Sequence, residues 1–203
     1  MTCSLYIASV NSFAGKSLAA LALGLHLREA GYRVGYFKPL GALPHAVRGV
    51  ATDEDAYFIA NRLNPDAQLD AICPVLLTSE LSSHALRGDV AGLREKIQAA
   101  YARIAADRDV VLIGGLGTLA RGSLLGLSAP AVAELLDTRV LVLAKFTSEA
   151  SAEEMLLAQR LLGERFIGCL FGFVEPQDDE LLRTELAPYL ERRGIVVLGI
   201  LPR

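Results

Sequence analysis

Short apolar runs alternate along the chain with longer helical patterns. "SLYIAS" (4–9), "RVGYFK" (33–38), "DVVLIG" (109–114), "RVLVLA" (139–144), "RFIGCLF" (165–171) and "IVVLGIL" (195–201) read as strands. Several are apolar at consecutive positions, as strands covered on both faces must be. Helices are predicted near 16–30, 53–63, 89–106, 129–136, 151–163 and 178–193. Gly31 and Gly163 stand at helix stops, and Ser128 before Ala129-Pro130 marks a helix start. This alternation predicts an α/β fold, a mainly parallel sheet with helices on both faces. Ligands of such sheets gather beyond the carboxyl ends of the strands.

Between Gly41 and Gly88, with Pro44, Pro65 and Pro74, the pattern breaks, and long loops are expected there. No repeat or linker divides the chain, so residues 1–203 read as a single domain. With 203 residues, 52% of them hydrophobic, it can bury a sizeable core. A net charge of −3 offers no basic excess for a polyanion, which argues against a nucleic-acid partner. Cys3, Cys73 and Cys169 share no metal-ligand spacing and read as three buried thiols in a reducing compartment. The start "MTCSLYIASVNS" lacks the pattern of a signal peptide, and no uncharged apolar run reaches the ~18–20 residues of a membrane span. A cytoplasmic protein without a membrane partner is expected.

The chemistry lies in "SVNSFAGKSL" (9–18), between the first strand and the first helix. Gly15-Lys16-Ser17 is the core of a P-loop. In such a loop backbone amides and a helix N-terminus cradle phosphates, the lysine reaches the terminal ones, and the hydroxyl ligates Mg²⁺. By average composition Gly-Lys-Ser/Thr arises about once in a couple of thousand residues, and its place between strand and helix makes chance less economical. The candidate nucleotide-binding residues are Asn11, Ser12, Phe13, Ala14, Gly15, Lys16, Ser17 and Leu18. Val10 stands where the general pattern has glycine.

"SVNSFAGKS" resembles the loop of dethiobiotin synthetases, Gly-Thr-Asp-Thr-x-Val-Gly-Lys-Thr, in whose register Val10 need not be glycine. The comparison counts against a ParA/MinD-type ATPase, whose loop carries a lysine where Asn11 stands. "GYFKPLG" resembles the synthetases' Tyr-Lys-Pro-Val segment, which implies a catalytic role for Lys38 beside Lys16. "DEDAYFIANRL" is similar to their Ser-Asp-Ala helix start, which implies Mg²⁺ held by Asp55 with Ser17. "CPVLLTSELSSHAL" resembles a segment in which His84 takes the place of a substrate-side histidine, and "LGILPR" a Leu-Gly-x-Ile-Pro strand. A closer resemblance is to the dethiobiotin-synthetase-like domain at the N-terminus of some phosphate acetyltransferases. It is carried by "GYFKP", "GSLLGLSAPAVAELLD" and "LLGERFIGCLFGFVEP". The resemblance implies a P-loop NTPase-like fold, ATP or another nucleoside triphosphate, Mg²⁺, a homodimer, and a DRTGG-type domain in cis or in trans.

Two positions depart from the synthetases. "GGLGTLARG" puts Gly114 where they carry a magnesium-binding glutamate, and loss of that acid weakens metal binding and charge neutralisation. Gly114 is alternatively a strand-end glycine closely approached by ligand or backbone. "LFGFVEP" puts Gly172 where they carry an adenine-reading asparagine, with Glu175 and Gln177 as substitutes nearby. Other groups have plainer readings: Thr52 as helix cap with Asp53, Glu54 and Asp55 favoured by the dipole, His84 as an exposed loop residue, and Lys145, at a strand end on the binding edge, as either a phosphate contact or an exposed side chain. Gly115 and Gly117 would let backbone come near a ligand.

Two functions follow from the resemblance. One is a nucleotide-binding domain with a regulatory or sensor role. The other is an ATP-dependent ligase of the dethiobiotin synthetase or cobyrinic acid a,c-diamide synthase type.

Overall fold

The computed structural model describes residues 2–203. In chain order the elements are β1 (Cys3–Ser9), α1 (Lys16–Glu29), β2 (Val34–Phe37), β3 (Leu40–Gly41), β4 (Pro44–Val47), β5 (Val50–Asp53), α2 (Glu54–Leu63), α3 (Leu69–Ile72), β6 (Val75–Leu76) and α4 (Ser79–Leu86). There follow α5 (Leu93–Ala105), β7 (Val110–Gly114), α6 (Ala129–Leu135), β8 (Arg139–Lys145), α7 (Ala150–Leu162), β9 (Phe166–Val174), α8 (Asp179–Leu181), α9 (Ala187–Glu191) and β10 (Val197–Pro202). A π-helical turn, Leu182–Leu186, joins α8 to α9, so the helix expected at 178–193 is one run with a wide turn inside it.

Six strands form one sheet in the order β10-β9-β8-β1-β7-β2, and every pairing in it is parallel. All four residues of β2 are buried although successive side chains point to opposite faces, so both faces of the sheet are covered. α2 shows how the helices do this. Ala56, Ile59, Ala60 and Leu63 fall three and four apart and make one buried stripe. The chain leaves β1 for β7 and β2 on one side and for β8, β9 and β10 on the other. The end of β1 is therefore the switch point where an open α/β sheet leaves a crevice.

The stretch from Gly41 to Gly88 is not the set of long loops that its prolines suggested. It holds the β4–β5 hairpin, the β3–β6 pair and three helices. The pieces are only two to ten residues long, too short for periodicity to show. Cys73 and Cys169 are buried, but Cys3, at the first position of β1, is exposed. Burial pushes both buried thiols up to about 12, which makes them inert apolar filling.

Gly24 lets α1 pack closely: a Cβ there would lie 2.4 Å from Leu63 Cδ1 and 3.2 Å from Leu112 Cδ1, both buried side chains. Helix propensity alone gives Gly24→Ala a gain of about 1 kcal/mol. Packing reverses the sign, and urea denaturation of Gly24→Ala is expected to show a net loss of ~1–3 kcal/mol.

Candidate functional site

β1 hands over to the loop without strain at Val10, whose N–H donates to Leu143 O at 3.1 Å and so extends the pairing with β8. Val10 is absent from the residues with positive φ, and valine is at ease there. The turn is made instead by Phe13 (φ 57) and Gly15 (φ 89), which precede α1. The amides of Gly15, Lys16, Ser17 and Leu18 find no acceptor among the described residues. They are the orphan donors of the helix start, with the positive end of its dipole behind them.

A cavity of about 490 Å³ opens on this turn. Ser12 through Leu18 line it with Lys38, Ala42, Leu43, Asp55, Gly115, Leu116, Gly117 and Phe173. Lys16 Nζ donates to Ser9 Oγ at 2.7 Å and to Gly117 O at 2.8 Å. Gly117 thus serves the lysine directly, through its carbonyl. Gly115 meets backbone of the fold, since a Cβ there would lie 2.8 Å from Ile7 O. Ser17 Oγ lies 3.3 Å from Asp55 Oδ2, so the hydroxyl and the carboxylate expected to share a cation do stand together.

Lys38 is buried at the end of β2 and donates to Asp53 Oδ1 at 2.7 Å, with Asp55 Oδ2 at 4.0 Å. Asp53, not Thr52, caps α2, accepting from Ala56 N at 3.0 Å. Its other oxygen accepts from Ala42 N and Leu43 N, both at 2.9 Å. Burial alone would raise the Asp53 carboxyl. The Lys38 charge and hydrogen bond, with the amides, outweigh it and hold the group below its ordinary range. Thr52 is buried with its hydroxyl unpartnered. The sequence reading made Thr52 the cap, and packing gives that place to the next residue, Asp53.

Other expected residues lie elsewhere. The Asn11 side chain does not line the cavity; its Oδ1 accepts from Lys145 N at 2.9 Å and its Nδ2 donates to Glu154 Oε1 at 2.8 Å, tying the loop to β8 and α7. His84 pairs with Asp89 at 3.0 Å and is outside the cavity lining. Glu175 is paired with Arg203 at 2.5 Å. The Gly172 position is open, its nearest neighbour being Ala14 O at 3.6 Å from an added Cβ.

Gly114 is decided by a side chain from another strand, which no local pattern connects with it. A Cβ at Gly114 would lie 2.1 Å from the hydroxyl oxygen of Tyr36, which reaches across from β2. The phenol fills the place of a side chain at 114. Burial, and then the Asp53 and Asp55 carboxylates, push Tyr36 far up, so it stays neutral. Among the described residues no cluster of three or more His, Cys, Asp or Glu could hold a metal by itself. Ser17 and Asp55 fit a magnesium ion that takes its remaining ligands from phosphate and water.

The comparisons with known proteins agree with this architecture. Over residues 3–203 the chain matches the family model described as an AAA domain. The ATP-dependent dethiobiotin synthetase BioD of Ralstonia nicotianae is 30% identical over 114 residues, 55% of this chain and 50% of that protein. The match thus spans about half the length of this curated relative. Cobyrinic acid a,c-diamide synthase from Mycobacterium smegmatis, solved with a bound ATP analog and magnesium, superposes with a TM-score of 0.54 at 19% identity, covering 91% of this chain and 79% of that one. The septum site-determining protein MinD from Pyrococcus horikoshii, complexed with Mg-ADP, gives 0.54 at 17% identity, covering 100% and 82%. At such identities the likeness shows the fold, that of P-loop NTPases. No helix among the described residues is long and apolar enough to cross a membrane.

Burial and then the Lys38 charge lower the Lys16 ammonium to about 8, against the opposing pull of Asp55. A lysine depressed in the fold costs stability while protonated, and that cost fades as pH rises through 8 toward its unfolded value. A phosphate beside Lys16 would restore its proton. Calorimetry of ATP binding at about pH 9 in buffers of different ionisation enthalpy is therefore expected to show uptake of up to about one proton. The uptake disappears in Lys16→Arg, which keeps its charge throughout.

Proposed function

The chain belongs to this AAA domain family, and on that premise we propose that it binds a nucleoside triphosphate, ATP by default, together with Mg²⁺, in a regulatory or sensor role. Four orphan amides, Lys16 and the Ser17–Asp55 pair converge on one cavity, and this convergence carries the reading. The amides and Lys16 would receive the β- and γ-phosphates, and Lys38 adds positive charge beyond them. Ser17 and Asp55 would hold Mg²⁺, which supplies positive charge between the phosphates. The Tyr36 hydroxyl at Gly114 removes the place for another carboxylate, which suits binding better than rapid phosphoryl transfer.

The resemblance to the N-terminal domain of phosphate acetyltransferases supports a module that reports nucleotide to another domain, of DRTGG type in cis or in trans, as a homodimer. A second reading, an ATP-dependent ligase of the dethiobiotin synthetase or cobyrinic acid a,c-diamide synthase type, is favoured by the 30% identity to a dethiobiotin synthetase. Lys38 and Lys16 facing one cavity fit that chemistry too.

Thermal melting with ATP and with GTP, each with and without Mg²⁺, tests the site. At a hundred times Kd the ligand contributes ~2.7 kcal/mol, a rise of about 5–10 °C for a chain of this size. Lys16→Ala is expected to weaken binding by ~10-fold or more. No shift with either nucleotide would sink the proposal.

The two readings separate at position 114. Gly114→Glu alone collides with Tyr36, so the informative variant is Tyr36→Leu/Gly114→Glu. In a sensor its steady-state ATP hydrolysis is expected to stay as slow as the wild type's. A rise of ~10-fold or more, at unchanged ATP affinity, would instead favour an enzyme slowed by the exchange.

A further inference from the structure

Five non-glycine residues have positive φ among the described residues: Phe13, Arg48, Asp107, Asp137 and Phe173. Aspartate tolerates that region; a bulky aromatic residue does so at a cost. Both aromatics in the set line the cavity at the α1 N-terminus. Phe13 is 92% exposed and Phe173, at the end of β9, is 40% exposed. Strain at an apolar side chain that stays partly in water is only partly offset by its contacts within the fold. A ligand that covers the ring would take the rest of it out of water.

Phe173 is fixed relative to the phosphate-binding turn. Its Cε2 lies 3.8 Å from the Cβ position of Gly15, so the ring abuts the residue before Lys16. The exposed side chain of Lys145 reaches over the ring, its Nζ 5.8 Å from the ring centroid. The preceding residue, Gly172, brings no side chain, and the nearest atom to an added Cβ there is a carbonyl oxygen at 3.6 Å. The cavity lining thus includes the Phe173 ring, which Lys145 approaches from outside the lining; it holds no amide side chain, and its one carboxylate, Asp55, stands at Ser17.

We propose that Phe173 is the platform on which the base of the bound nucleotide stacks, with Lys145 as a cationic hydrogen-bond donor at its edge, and that the site therefore accepts purine triphosphates with little choice between adenine and guanine. This rests on the nucleotide-binding reading above and deepens it. Every base has a π-face, whereas discrimination needs paired donors and acceptors at the base edge. Lysine only donates, and both purines present an acceptor at N7.

The test compares ATP, GTP and inorganic tripolyphosphate, which carries the charge without a base, by calorimetry on wild type and Phe173→Ala. Wild-type affinities for ATP and GTP are expected within about 5-fold of each other. Phe173→Ala should lose ~5- to 150-fold for both nucleotides and leave tripolyphosphate unchanged. The chain contains no tryptophan, so Phe173→Trp places a single indole on the platform. ATP and GTP should quench its fluorescence where tripolyphosphate does not. If Phe173→Ala weakens tripolyphosphate as much as ATP, the ring only shapes the loop and the inference is overturned. It is overturned equally if ATP affinity is unmoved, or if ATP exceeds GTP by ~100-fold or more. Tripolyphosphate and nucleotides that all fail to bind the wild type would overturn the nucleotide-binding reading itself, an outcome distinct from losing the platform alone.

Discussion

A lysine ammonium buried at the end of a sheet strand needs an anion within reach, and for Lys38 that anion is Asp53. The same carboxylate caps α2 and takes the amides of Ala42 and Leu43. One buried group therefore joins β2, the turn after β3, the hairpin and a helix. Its placement has consequences two residues on, because Asp55 follows in the first turn of α2 and so comes to face Ser17. Gly41 belongs to the same arrangement. A Cβ there would lie 2.6 Å from that of Asp53 and 2.7 Å from Cys73 Sγ, so only glycine lets the segments close. Removing one partner of such a pair leaves an uncompensated buried charge, which typically costs 3–5 kcal/mol, and here the cavity wall would go with it.

Electrostatics in the cavity is poised by that pair. Lys38 is neutralised by Asp53 yet still adds to the desolvation that weakens the proton on Lys16. The fold thus holds Lys16 by two neutral oxygens, Ser9 Oγ and Gly117 O, where an anion would hold it better. A site of this kind gains most from a highly charged ligand. The Tyr36 hydroxyl beside Gly114 works in the other direction. It puts a neutral phenol where a side chain at 114 would stand, and so leaves no room there for a further carboxylate.

What could be read ahead of the structure follows from range of interaction. Strands apolar on both faces and helices with a single apolar stripe announce themselves locally, and all six strands of the sheet and the longer helices lie within a few residues of their expected places. Gly15-Lys16-Ser17 was legible for the same reason, since its function depends on consecutive backbone atoms. The hairpin and short helices of 41–88 were not, because their few residues carry no period. The ties of the Asn11 side chain were not legible either, because its partners in β8 and α7 lie more than a hundred residues away.

By itself the sequence determined the α/β alternation, the phosphate-binding turn and the residue types that could serve it. Tertiary structure decided which of them do. It chose Asp53 over Thr52 as cap, brought Asp55 to Ser17, put the Tyr36 ring where a side chain at 114 would go, and set Phe173 against Gly15. These choices depend on ångström-scale distances between segments far apart in the chain. A linear pattern encodes which groups exist, and only the packed fold encodes what each one touches.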